Sequence, residues 1–196
     1  HRHFTICLAI MFKRNLTVYS LALVSLLLGN FNQGAWGLIR NLKALPLEES
    51  TKAINLSIWL VPPTPPFNIL QDQIEQFSQF GKVGPVLPPH ITVVGGIVCH
   101  SEARVVEVAK ILEDGLAGFG TIPCSMNSLP SSMNAWNQAL YLTVDLSAEL
   151  LNLCQRARAL LGMETDNWTF PAPAKVPHLS LFYGVDHFPD KSKVAV

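Results

Sequence analysis

The sequence predicts an α+β fold in which helices pack on a largely antiparallel sheet. Apolar residues alternate at every second position in some segments, as in strands, and recur every third or fourth position in others, as in helices. From residue 54 onward these segments follow the order strand, helix, strand, helix, strand, strand, helix, strand. Hydrophobic residues make up 49% of the 196-residue chain, which is enough to form a core.

The first half of this order contains two strands and two helices. Ile54–Val61 alternates as a strand and ends at the proline-rich residues 62–66, because proline cannot pair inside a sheet. A helix is predicted next, ending at Gly81, with an apolar side formed by Phe67, Leu70, Ile74, Phe77 and Phe80. A strand is predicted over His90–Val98. Ser101 then caps a second helix. Its apolar side is formed by Val105, Val108, Leu112 and Leu116.

The second half adds three strands and one helix. Thr121–Met126 and Gln138–Val144 are predicted to form a strand pair. Ser147 is a predicted N-cap for a third helix that ends at Gly162. Its predicted inward residues are Leu150, Leu151, Cys154 and Leu161. The last strand is predicted over His178–Tyr183.

The N-terminal region has the features of a secretory or organelle-targeting leader. The first methionine is Met11, and Lys13 and Arg14 follow it as a short positive region. The apolar run Leu16–Leu28 has 13 residues, fewer than the roughly 20 that a membrane-spanning helix needs. Small residues flank Trp36, as a signal peptidase requires. A buried helix or a poor membrane anchor is the alternative interpretation of the apolar run.

We therefore predict a leader over residues 1–37, a polar connector over 38–53 and one domain over 54–196. The leader directs the protein to the secretory pathway or an organelle, whereas a gene-model artefact at this end would leave it cytoplasmic. Residues 38–196 contain 11 Lys and Arg against 14 Asp and Glu. This charge excludes a platform for long nucleic acid but permits a small phosphate ester in a local site.

The cysteines do not indicate a metal or redox centre. Cys99, Cys124 and Cys154 lie far apart, without the spacing of a zinc or redox pair, and they permit one disulfide at most. The sequence also lacks an HExxH motif, a P-loop and a Rossmann glycine fingerprint. We therefore expect neither a metal nor a cofactor.

Two segments share a pattern of proline, histidine, an aliphatic residue, a hydroxyl residue, further apolar residues and glycine. They are Pro89-His90-Ile91-Thr92-Val93-Val94-Gly95-Gly96 and Pro177-His178-Leu179-Ser180-Leu181-Phe182-Tyr183-Gly184. Positions i and i+2 of a strand face the same way, so each strand presents an imidazole and a hydroxyl on one face. One such pair alone is usually structural. Two copies 88 residues apart indicate two related lobes that present matched groups to one cleft.

Matched histidines fit the hydrolysis of a cyclic phosphodiester. One imidazole takes a proton from water and the other protonates the leaving oxygen, since a pKa near ~6.5 allows either role around neutrality. Thr92 and Ser180 are candidate hydrogen-bond donors to the non-bridging phosphate oxygens, where negative charge develops.

With these motifs the chain resembles the two-histidine (2H) phosphoesterase superfamily, and within it the plant and yeast type of cyclic phosphodiesterase. The resemblance rests on residues 90–93 and 178–181, with support from residues 57–62 and 138–142, and covers roughly residues 54–188. It implies a bilobal fold with antiparallel sheets and flanking helices around a central cleft. In the superfamily a helix and two more strands follow the second motif, so the resemblance also implies a second lobe that is incomplete at the C-terminus, as in a fragment.

The resemblance further implies the chemistry and the site. Family members of this type open ADP-ribose 1″,2″-cyclic phosphate and nucleoside 2′,3′-cyclic phosphates. His90 and His178 are implied as acid and base, in an order that stays open. The implied substrate-binding residues are Thr92, Ser180 and Tyr183. A regular strand points Tyr183 away from His178, so its role requires a bend near Gly184.

Two other functions remain open. One is an RNA-end-processing 2H phosphodiesterase, against which the charge of residues 38–196 argues for any long RNA path. The other, of a different class, is a non-catalytic nucleotide-binding protein or an inactive fragment. Trp136 is either a packing residue or one that stacks on a base at the cleft rim. We expect a monomer with a small cyclic phosphate ester as substrate and no stable membrane span in the mature form.

Overall fold

The computed structural model describes residues 3–4, 7–14, 17–22, 53–79, 86–127, 138–163 and 176–184, the first three ranges as backbone only. The strands are β1 His3–Phe4, β2 Cys7–Arg14, β3 Thr17–Ala22, β4 Ile54–Val61, β5 Ile91–Cys99, β6 Cys124–Ser125, β7 Leu140–Thr143 and β8 His178–Phe182. The helices are α1 Pro66–Ser78, α2 Glu102–Leu116 and α3 Ala148–Leu160. From β4 onward the order of elements is the predicted one, and the α+β class is confirmed.

Six of these strands form one antiparallel sheet in the order β3-β2-β4-β5-β8-β7. The two motif strands, β5 and β8, are direct neighbours in the middle of this sheet, where Ile91 pairs with Leu179. A separate two-stranded pair joins β1 to β6. The sheet therefore brings together two histidine motifs that are far apart in sequence.

One face of the sheet packs against the helices. The alternation of β4 turns Ile54, Leu56, Ile58 and Leu60 into the main core, where buried residues of all three helices meet them. Ile91 and Val93 of β5 and Leu179 and Leu181 of β8 join the same core. Because strand side chains alternate, the residues between these ones face the opposite side of the sheet.

The helix ends agree with the predicted caps. Ser101 accepts a hydrogen bond from the Arg104 backbone N–H, and Ser147 accepts one from Leu150. Gly162 follows α3 with φ +66°, a left-handed conformation that glycine adopts without strain.

Two details of the sequence prediction are wrong. Leu151 is only half-buried and does not belong to the inward stripe of α3, whereas Leu161 at the C-cap packs against the main core. That stripe consists of Leu150, Leu153, Cys154 and Ala157. The predicted strand pair over 121–126 and 138–144 is reduced to one bridge, Met126 to Val144. Cys124–Ser125 pairs with β1 instead.

The predicted leader overlaps described strands. In β2, pairing with β4 runs from Cys7 opposite Val61 to Lys13 opposite Asn55, and β3 pairs with the other side of β2. Removal of the leader from the mature protein stays a prediction. Among the described helices, none has the length and apolar character needed to cross a membrane. Residues 185–196, on which the expected incomplete second lobe depends, lie outside the described ranges.

The three cysteines after residue 53 are buried free thiols, so the disulfide that the sequence permitted does not form among them. Burial raises the pKa of Cys124 to about 11 and that of Cys154 to about 12. Both thiols therefore stay protonated at neutral pH and act as small apolar core residues.

Candidate active site

The two motifs meet on the sheet face opposite the helix-packed core. Ile91 and Leu179 are register partners and both belong to that core. Continuing the antiparallel register by one residue each way places His90 opposite Ser180 and Thr92 opposite His178. Side chains directly opposite each other in such a pair lie about 5 Å apart at Cβ. Each histidine therefore has the hydroxyl residue of the other motif as its cross-strand neighbour.

Neighbouring strands complete this face. In β4, Trp59 pairs with Thr92, and in β7, Tyr141 pairs with Ser180 and Thr143 with His178. We call the set of Trp59, His90, Thr92, Tyr141, Thr143, His178 and Ser180 the site face. It places hydroxyl groups and aromatic rings around two imidazoles, as a small polar ligand with an apolar part would require.

His90 is held in one orientation. Its Nδ1 lies 2.7 Å from the backbone carbonyl oxygen of Pro88. Because a carbonyl only accepts hydrogen bonds, Nδ1 carries the proton and Nε2 is the nitrogen left for a ligand. The His90 ring also stacks on the indole of Trp59, with ring centroids 3.4 Å apart and planes 10° from parallel. Only 7% of the residue is exposed.

His178 has a related but looser setting. Its ring hydrogen-bonds to the backbone carbonyl of Val176, two residues earlier, as His90 does to Pro88. The amide nitrogen of Gln138 lies 3.4 Å from its Nδ1, at the long end of the hydrogen-bond range. Tyr141 meets the ring edge-on, with centroids 5.5 Å apart and an angle of 73°. His178 is half-buried and so more open to solvent than His90.

Burial governs the titration of both histidines. Desolvation lowers the pKa of His90 to about 4; the hydrogen bond to Pro88 opposes this shift and the charge of His178 adds to it. Desolvation also lowers the pKa of His178, against the effect of the Val176 carbonyl. In the free protein at neutral pH both imidazoles are neutral.

The hydroxyl residues differ in how they are engaged. The Thr92 hydroxyl has no hydrogen-bond partner among the described residues and is half-buried, so it is available to a ligand. Ser180 is buried and hydrogen-bonds with the side chain of Tyr183. Burial raises the pKa of Tyr183, which keeps the phenol protonated and able to donate.

The Ser180–Tyr183 contact bears on the expected bend. Regular alternation would put Tyr183 on the opposite face from Ser180. However, β8 ends at Phe182, and the Tyr183 side chain reaches Ser180. Tyr183 is buried, and its role in substrate binding stays a prediction.

Sequence reasoning missed three residues around the histidines. Trp59 covers His90, Ser57 holds the indole of Trp59, and Gln138 reaches His178. The alternation of β4 places Trp59 on the face opposite the core, but the pairing of Trp59 with β5 depends on sheet register. Trp136, the candidate base-stacking residue, lies outside the described ranges. No group of three or more His, Cys, Asp or Glu side chains suited to a metal ion occurs within the described part of the chain.

Comparison with known families gives a match over most of the chain. A family model described as cyclic phosphodiesterase-like protein matches residues 54–196. The chain belongs to this family. Comparison with curated proteins gives no significant match. The family match starts at the first residue of β4 and includes both histidine motifs.

Membership in the cyclic phosphodiesterase-like family implies a phosphodiesterase and is consistent with the resemblance to 2H phosphoesterases. The match identifies the kind of activity.

Proposed function

We propose that this cyclic phosphodiesterase-like protein hydrolyses small cyclic phosphodiesters by acid–base catalysis with His90 and His178, without a metal ion. ADP-ribose 1″,2″-cyclic phosphate and nucleoside 2′,3′-cyclic phosphates are the proposed substrates. The observation that carries the proposal is the pairing of Ile91 with Leu179, which sets two His-x-hydroxyl motifs side by side on the sheet face opposite the main core.

The reaction needs one neutral and one protonated imidazole. The neutral ring accepts a proton from water while the water oxygen forms a bond to phosphorus. The bond from phosphorus to one ester oxygen of the ring breaks, and that oxygen receives the proton of the second imidazole. The product is an open phosphate monoester with a free hydroxyl, and the two histidines have exchanged protonation states.

The proposed ligands of the phosphate are hydroxyl groups that donate hydrogen bonds. Charge on the non-bridging oxygens rises in the transition state, and hydrogen bonds aimed at them are worth most in a site screened from water. Thr92 has a hydroxyl available for this, opposite His178. Ser180 lies opposite His90 and hydrogen-bonds with the side chain of Tyr183.

Turnover of the proposed substrates by the full chain tests the mechanism. We expect His90→Ala and His178→Ala each to lower kcat by about 10²- to 10⁴-fold, the usual contribution of a general acid or base. His100→Ala is a matched control, since His100 is exposed and lies just beyond β5. Wild-type activity in either site variant, or none in a folded wild-type protein, would contradict the proposal.

Metal dependence is tested separately. Prolonged treatment with EDTA should leave kcat unchanged, because both proton transfers use imidazole and the phosphate is bound by hydroxyl groups. Loss of activity that added divalent metal restores would refute the metal-free mechanism while leaving the substrate class intact.

A further inference from the structure

Of the two described ring contacts to the histidines, the closer one is made by Trp59, a residue outside the two motifs. The indole of Trp59 covers one face of His90 with a centroid separation of 3.4 Å and nearly parallel planes. Trp59 itself is 6% exposed and belongs to a small cluster with Val61, Phe67 and Leu87. This cluster is separate from the main core.

The indole is anchored across two strands. Its Nε1–H donates to the Ser57 hydroxyl at 2.8 Å, and that hydroxyl donates to the Val94 backbone carbonyl at 3.2 Å. The single proton of Ser57 is thereby used for the backbone, so this hydroxyl is not a donor to phosphate. Trp59 is hence fixed relative to β5, the strand that follows His90.

These contacts leave His90 little freedom. Pro88 holds the Nδ1 edge, and Trp59 covers one face of the ring. What stays open is the edge that carries Nε2. A proton-transfer group loses efficiency quickly when it is displaced from the reacting atoms, so an aromatic support of this kind has a direct kinetic use.

We propose that Trp59 is a positioning residue that fixes the orientation of the His90 imidazole, and that Ser57 keeps Trp59 in place. The kinetic part of this proposal rests on the proposed function. The structural part concerns only the ring of His90 and is measured without substrate.

Packing alone would make different demands. A residue that only fills the small cluster could be replaced by another apolar residue without effect on His90. A support for the imidazole instead needs a flat ring that excludes water from one face. Tryptophan to phenylalanine keeps such a ring, whereas tryptophan to leucine keeps only apolar volume.

The pKa and tautomer of His90, followed by ¹⁵N NMR of the imidazole, test the structural part. In Trp59→Leu water reaches the ring, so the pKa should rise by about one unit or more towards the usual value. Loss of the cation–π attraction between the indole and the charged imidazole would lower this pKa, and we expect the effect of hydration to be the larger of the two. His178 is the titratable group that acts on the pKa of His90, so its own titration is followed in the same spectra.

Two further variants and a control sharpen the result. Trp59→Phe should keep the pKa of His90 within about half a unit of wild type, because an aromatic face remains. Ser57→Ala should give a shift in the direction of Trp59→Leu but smaller, since the indole loses its anchor. Phe67→Leu alters the same cluster and should leave His90 unchanged. The proposal is overturned if Trp59→Leu leaves the pKa and tautomer unaltered, or if Phe67→Leu shifts them as much.

Kinetics then connect the contact with catalysis. Trp59→Leu should lower kcat about tenfold or more, with Trp59→Phe restoring most of it, and with much smaller changes in KM. A shifted His90 titration without any turnover by the wild-type protein would uphold the contact and refute the proposed function. Turnover that is lost in His90→Ala but unchanged in Trp59→Leu would uphold the function and refute the positioning role.

Discussion

The two histidines have matched backbone partners but unequal surroundings. Each ring hydrogen-bonds to the backbone carbonyl two residues earlier, that of Pro88 for His90 and that of Val176 for His178. His90 is then covered by an indole, whereas His178 meets an aromatic edge and an amide. Because His90 is the more deeply buried, its charged form is disfavoured more strongly. A repeated motif thus provides two groups that protonate at different pH.

This difference predicts the pH dependence of kcat/KM, which reports the free protein. Activity should rise as pH increases through the pKa of His90, about 4, because the doubly charged pair loses a proton. It should fall as pH increases through the pKa of His178, which burial lowers from 6.5, because the last proton is lost. The two limbs belong to the coupled pair. We expect a bell-shaped profile with its maximum below pH 6.5.

Bound substrate should change this profile in a defined direction. The anionic phosphate favours imidazolium, so the kcat profile should lie at higher pH than that of kcat/KM. Rates measured from about pH 4 to about pH 9 test both statements. A flat kcat/KM over this range, or a maximum above pH 7, would contradict the assignment of the titrating pair to these buried histidines.

At the scale of the secondary structure elements, β5 contains a bulge in its pairing with β4. Leu56 pairs with Ile97 and Ile58 with Val94, so Ser57 alone faces both Gly95 and Gly96. Gly96 has φ +74°, the left-handed conformation that such a bulge requires. A second register shift, between Ile58 and Trp59, leaves Val93 as a further extra residue of β5, and Trp59 comes to lie opposite Thr92. The two shifts together set the position of the first motif against β4.

Alanine substitution at the two glycines should separate conformation from space. Gly96→Ala should lower the free energy of unfolding by about 1–2 kcal/mol, because a Cβ disfavours positive φ. Gly95→Ala is the matched control: an added Cβ would lie 3.7 Å from Ser57 Oγ and from Thr92 Cγ2, an ordinary contact. We expect less than about 0.5 kcal/mol there. Urea denaturation measures the free energy of unfolding of both variants. Equal losses in the two would show that the positive φ of Gly96 does not determine the effect.

For the molecule as a whole, the sequence predicts local structure well and sheet order poorly. The order of elements from β4 to β8 and the caps at Ser101 and Ser147 follow from period and end signals. The doubled motif also pointed to one shared site. The contacts of Trp59 with His90 and of Gln138 with His178 depend on which distant strands are neighbours and in what register. No local pattern contains that information.

The predicted leader includes β2, the strand that pairs with β4. In the full chain β2 lies between β3 and β4, so β4 is an interior strand. If the predicted leader is removed after Gly37, β2 goes with it and the backbone of β4 becomes an exposed edge. Localisation to the secretory pathway or an organelle, which we propose from the leader, is tested by N-terminal sequencing of the protein isolated from cells.

Proline at Ile10 tests the role of β2 in the full chain. Ile10 has register partners on both sides, Ala22 in β3 and Ile58 in β4, so proline removes a ladder hydrogen bond whichever way its N–H points. We expect Ile10→Pro to lower the free energy of unfolding of the full chain by about 1–3 kcal/mol. Ile10→Val, which keeps a β-branched residue and its N–H, should change it far less. Equal stability of the two variants would show that residues 7–14 do not stabilise β4. That outcome is expected if the leader is not part of the sheet.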